Sequence, residues 1–95
     1  MNREEKIELL GDCADLMREA GWTTFRVDFP PGEEDHTNRS VPAAVGVKGG
    51  LSLLVFAGTP TAGMVYRMDN WRQAGGVAAA VHRIDDLGPI MRDLL

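Results

Sequence analysis

The stretch Leu51-Ser-Leu-Leu-Val-Phe-Ala57 constrains this chain more than any other feature. It is almost wholly apolar, with Ser52 as its one polar residue, and glycine stands on either side of it. A short, nearly continuous apolar run bounded by turn formers reads as a strand in the interior of a sheet. Leu51–Ala57 is therefore expected to be the central strand, and the rest of the chain supplies its neighbours.

One neighbour lies directly upstream. Val41 to Val47 is a second short apolar strand, and Lys48-Gly49-Gly50 is a turn whose glycines tolerate positive φ. The two strands make an antiparallel hairpin. Further upstream, Trp22 to Phe29 alternates, with Phe25, Val27 and Phe29 on one face and Thr24, Arg26 and Asp28 on the other. That pattern predicts a half-buried strand, which Pro30-Pro31 ends. Residues 30–40 are polar and aperiodic and read as a solvated loop.

Helical periodicity appears in three places. Residues 3–20 place Ile7, Leu10, Ala14 and Met17 in one row, with Cys13, Leu16 and Ala20 beside it. Asn2 followed by Glu5 predicts a capping box, and Gly21 suits the left-handed position after the helix. Residues 64–74 carry Met64, Met68 and Trp71 at helical spacing, ending at Gly75-Gly76. A last helix is expected after Asp85 or Asp86, with Leu87, Ile90, Met91 and Leu94 buried and Pro89 in its first turn. Between these two helices, Val77 to His82 is a small apolar strand. The expected order is α-β-β-β-α-β-α in one domain of 95 residues.

Several functions are excluded or disfavoured. The single cysteine, Cys13, permits no internal disulfide, which fits a reducing, cytoplasmic setting. No run is long enough to span a membrane, and no signal peptide is recognised. The net charge of −4 argues against coating duplex DNA by charge. That charge is uneven: residues 1–35 carry ten acids and four bases, and residues 36–95 four acids and six bases. Such halves are self-complementary and would allow a homodimer.

Chemically equipped clusters are few. His36 and His82 lie far apart, and with Cys13 they match no zinc-ligand spacing. Gly58 to Gly63 has the outline of a phosphate-binding loop, but Met64-Val65 follows where lysine and a hydroxyl residue are required. Glu33-Glu34-Asp35 beside His36 is the one dense group of potential ligands, and it reads first as solvated charge. No cofactor is implied.

The element order and its residues resemble a known family. An acid-rich helix ends in Glu19-Ala20-Gly21-Trp22 and enters a strand. A proline-initiated strand follows at Val41-Pro42-Ala43, then a glycine turn, the strand LSLLVFAGTP, a helix, Gln73-Ala74-Gly75-Gly76, a further strand and a closing Asp-Asp-Leu helix. The chain looks like the small bacterial and phage nucleases of the PD-(D/E)XK superfamily, of the VRR-NUC or Holliday-junction-resolvase-like kind. The resemblance implies a restriction-endonuclease-like α/β (α+β) fold with a mixed sheet flanked by helices.

The resemblance also implies where a nuclease site would stand. A metal-binding Asp would follow the proline, at Ala43. An acid, one residue and a lysine would close the third strand, at Phe56-Ala57-Gly58. Only the first-helix acid is kept, as Glu4 or Glu5. Two carboxylates hold the metal that activates water and polarises the phosphate, and lysine orients the water or stabilises developing charge. Alanine, phenylalanine and glycine do none of this. The expectation is a pseudo-nuclease that binds without cutting.

The first expected partner class is another protein, with a phage product acting on a host factor as the case family habit points to. Trp22 and Trp71 are the candidate anchors, with burial in the core as the competing reading of both. Arg67, Arg72 and the Glu33–Asp35 acids are the accompanying charged candidates. The alternative is a protein that binds branched or single-stranded DNA without cleavage.

Overall fold

The computed structural model describes residues 1–30 and 40–94. Its elements are α1 (Arg3–Glu19), β1 (Thr23–Phe29), β2 (Val41–Lys48), β3 (Leu51–Ala57), α2 (Ala62–Gln73), β4 (Val77–Val81) and α3 (Leu87–Asp93), with a 3-10 turn at Ile84–Asp86 before α3. The order is the one the sequence predicts.

The four strands form one sheet in the order β1-β2-β3-β4. β1, β2 and β3 run antiparallel in turn, and β4 lies parallel to β3. Leu51–Ala57 is an inner strand, as its apolar run requires. The parallel step needs a crossover, and α2 provides it. The β2–β3 turn is two residues long, with Gly49 at φ 55° and Gly50 at φ 84°, a shape that matches the twist of the flanking strands.

The sheet divides the interior into two layers. On one face α1 and α3 enclose Leu10, Cys13, Met17 and Trp22 with Ala44, Leu53, Val55 and Val81. On the other, α2 brings Met64 and Met68 against Ala43, Val45, Leu54 and Phe56. Alternation along β3 puts Leu53, Val55 and Ala57 in the first layer and Leu54 and Phe56 in the second.

Both long helices end by the same device. After α1, Gly21 at φ 89° lets its N–H reach the Arg18 carbonyl while Trp22 N–H reaches that of Met17. After α2, Gly75 at φ 98° and Gly76 bond likewise to Arg72 and Trp71. This is the Schellman pattern. Lys48 strengthens the first by donating from Nζ to the Ala20 carbonyl at 2.6 Å.

The structure corrects four expectations. Ile7 is exposed rather than part of the inner row of α1. Trp22 precedes β1 and is buried beneath α1. α2 begins at Ala62, because the Thr61 hydroxyl accepts from Met64 N–H and caps it. Asp86 makes no side-chain cap to α3; its carboxylate accepts instead from the N–H groups of His82 and Arg83. That tight turn explains the 3-10 geometry.

Candidate functional site

The positions at which the resemblance places a nuclease site are only partly gathered: Ala43 and Phe56 share one layer on neighbouring strands, and the others do not join them. Ala43 and Phe56 are fully buried in the α2 layer, where the Phe56 ring lies 5.8 Å from that of Phe29. Gly58 is just past β3 at φ 88°, and a Cβ there would stand 3.3 Å from Cε of Lys6 on α1. Glu4 and Glu5 are in the first turn of α1, across the sheet from Ala43 and Phe56. The Glu5 carboxylate closes the capping box by accepting from Asn2 N–H. Among the described residues no group of three His, Cys, Asp or Glu side chains is placed to hold a metal ion.

The charged candidates are engaged in structural contacts. Arg72 donates to Asp69 at 3.2 Å and to the Ala78 carbonyl of β4 at 2.9 Å. Arg67 lays its guanidinium 5.4 Å from the centre of the Phe29 ring and donates to the Pro30 carbonyl. Glu33, Glu34 and Asp35 lie outside the described residues. Trp22, only 2% exposed, is a core residue and no interface anchor. Cys13 is buried as well, and burial with the nearby Asp12 and Asp86 carboxylates pushes its thiol up to about 11. It stays a protonated small hydrophobe at neutral pH.

What the described residues do present is an exposed apolar corner on one sheet face, at Phe25 and Val47, beside half-buried Val27 and Phe29 and buried Val45. On the α2 side, β1 contributes Phe25, Val27 and Phe29, and β2 contributes Val45 and Val47. Phe25 is 52% exposed and Val47 is 40% exposed. Such residues scattered singly would be ordinary, but here they adjoin along two paired strands. At the border with α2 this face runs into an open trough of about 260 Å³ lined by Phe29, Arg67, Asn70, Trp71 and Ala74. Trp71 is half-buried beside Gly76, and its Nε1 has no hydrogen-bond partner among the described residues.

Geometry explains the opening. A helix is about 10 Å wide and strands repeat at about 4.8 Å, so one helix covers about two strands. α2 packs on β4 and β3, and it is the only helix on that face among the described residues. The opposite face carries α1, which crosses β1, β2 and β3. The alternation of β1 reveals its apolar side but not which side lacks a helix. The usable signal is the count: three predicted helices for a four-stranded sheet that needs four.

Among the described residues no helix is long and apolar enough to cross a membrane. In comparisons with known proteins, the chain matches no family model, no curated protein and no solved structure.

Proposed function

We propose that this chain is a non-catalytic binding module on a nuclease-like α/β scaffold, and that it docks another protein on the exposed Phe25–Val47 corner of its sheet. The observation that carries the proposal is the contiguous exposure of Phe25 and Val47 beside the Phe29–Trp71 trough. Apolar surface rimmed by polar side chains loses water favourably on contact with a complementary partner. Trp71, at the edge of the trough, is the anchor this reading retains.

The absence of cleavage follows from side-chain chemistry under the nuclease resemblance. Ala43, Phe56 and Gly58 offer neither carboxylate nor amine at the positions where metal and phosphate would be held, and a buried phenyl ring gives a metal ion no ligand to replace the water it would lose. Supercoiled plasmid incubated with magnesium or manganese is expected to stay intact.

The binding reading is tested with a tagged protein and a Phe25→Ser/Val47→Thr double variant whose fold is verified by circular dichroism. The wild type should recover a stoichiometric protein partner and the double variant should lose it. Equal recovery by both, or recovery of nucleic acid alone, overturns the proposal.

A further inference from the structure

β1 is an edge strand, and no strand pairs with its outer side among the described residues. The opposite edge is different, because Arg72 reaches over β4 and donates to the Ala78 carbonyl. An open edge carries a row of unsatisfied backbone groups and is a template for another strand.

The register identifies which groups β1 presents. Leu51 faces Lys48 across the two-residue turn, so these residues bond to each other. In an antiparallel ladder, successive residues direct their backbone groups to alternate sides. Lys48, Gly46 and Ala44 therefore point toward β3, and Val47, Val45 and Ala43 toward β1. Their partners Thr23, Phe25 and Val27 point back at β2. The N–H and C=O groups of Thr24, Arg26 and Asp28 are left facing outward.

The same residues carry complementary charge. Phe25-Arg26-Val27-Asp28-Phe29 is symmetric about Val27 in side-chain type, with opposite charges at the two flanking positions. If a second β1 pairs antiparallel about Val27, Arg26 of each copy faces Asp28 of the other, and Phe25 faces Phe29. Centring on Arg26 would instead oppose two arginines, and centring on Asp28 two aspartates. Like charges directly opposite destabilise a sheet and unlike charges stabilise it. Arg26 makes no ion pair among the described residues, and Asp28 has only a loose one, 3.8 Å from Arg3.

We propose that two copies of this chain associate edge to edge through antiparallel β1 strands centred on Val27, joining their sheets into one. In this register the outward-facing Arg26 and Asp28 exchange backbone hydrogen bonds as well as charge. Val27 faces its own copy in the open, closely spaced pair. The contact uses the strand edge and does not depend on what occupies the open face.

The test is sedimentation equilibrium on the full chain, with circular dichroism to verify each variant. A dimer is expected for the wild type. Arg26→Asp or Asp28→Arg alone should weaken it about tenfold, since two attractive pairs become repulsive. The double exchange R26D/D28R should restore it. Oxidation of a Val27→Cys variant should yield a covalent dimer, because facing Cα atoms in such a pair are about 4.5 Å apart. Under a register centred on Arg26, Arg26→Cys would cross-link instead. A monomer at all concentrations, a dimer indifferent to both single reversals, or cross-linking through Arg26→Cys alone overturns the proposal.

Discussion

At the scale of single residues, Gly46 shows how little freedom the α1 layer allows. A Cβ there would stand 2.6 Å from Sδ of Met17 and 3.2 Å from Cε3 of Trp22. Both side chains are buried, so neither has open space to enter. Gly46→Ala is expected to destabilise by about 1–3 kcal/mol, the usual cost of overpacking, seen as a lower urea midpoint at unchanged slope. Cys13 gives a prediction of a different kind. Its thiol rises from the ordinary 9.0 to about 11 in the folded chain. Across that interval the unfolded chain has lost the proton and the folded chain keeps it. Stability linked to this group is complete below 9.0 and falls as pH climbs toward about 11. Urea midpoints across that range should fall less steeply for Cys13→Ala than for the wild type.

At the scale of elements, ends matter as much as interiors. Asn2 Oδ1 accepts from Glu5 N–H at 2.8 Å, and Glu5 returns the bond. Asn2→Ala should cost about 1 kcal/mol, measured by thermal or urea unfolding. Asp86 holds the turn between β4 and α3. Its carboxyl lies below its ordinary value chiefly because the N–H groups of His82 and Arg83 bond to the charged form. A depressed carboxyl stabilises the fold above its unfolded value and loses that contribution as pH falls through the folded one. Acid unfolding should therefore be less pH-sensitive in Asp86→Asn. Asn2 was readable in advance, because the capping box is a local pattern of residue types. Asp86 was legible as a helix-start residue, but its actual bonds depend on how β4 ends. Likewise the alternation of β1 marks Phe25, Val27 and Phe29 as one face. Whether that face is buried depends on a helix nearly forty positions later in the sequence.

At the scale of the whole molecule, the two faces of the sheet should differ in stability. α1 spans three strands and is held at both ends, by the capping box and by the Lys48 bond to Ala20. α2 rests mainly on β4 and β3, and its inward contacts come mainly from Met64, Met68 and Trp71. Regions with fewer buried contacts open at lower free energy. Native-state hydrogen exchange should rank β3 and the middle of α1 as slowest, with α2 faster; the outward amides of Arg26 and Asp28 should exchange fastest in a dilute, monomeric sample and slow as the edge-paired dimer forms. The element order and the central strand were legible because periodicity and glycine placement are local. The placement of Glu4 and Glu5 across the sheet from Ala43 and Phe56 was not, because a residue's face depends on register and on which layer each helix joins. Substitution resolves the same asymmetry. Phe56→Ala removes a fully buried ring and should cost about 3–5 kcal/mol. Phe25→Ala, half exposed in the monomer, should cost well under half as much. If Phe25→Ala proves as damaging as Phe56→Ala in a monomeric sample, the β1 half of the face is covered and the proposed docking surface does not exist. If the cost of Phe25→Ala instead grows with protein concentration, stability is coupled to self-association, as an edge-paired dimer requires.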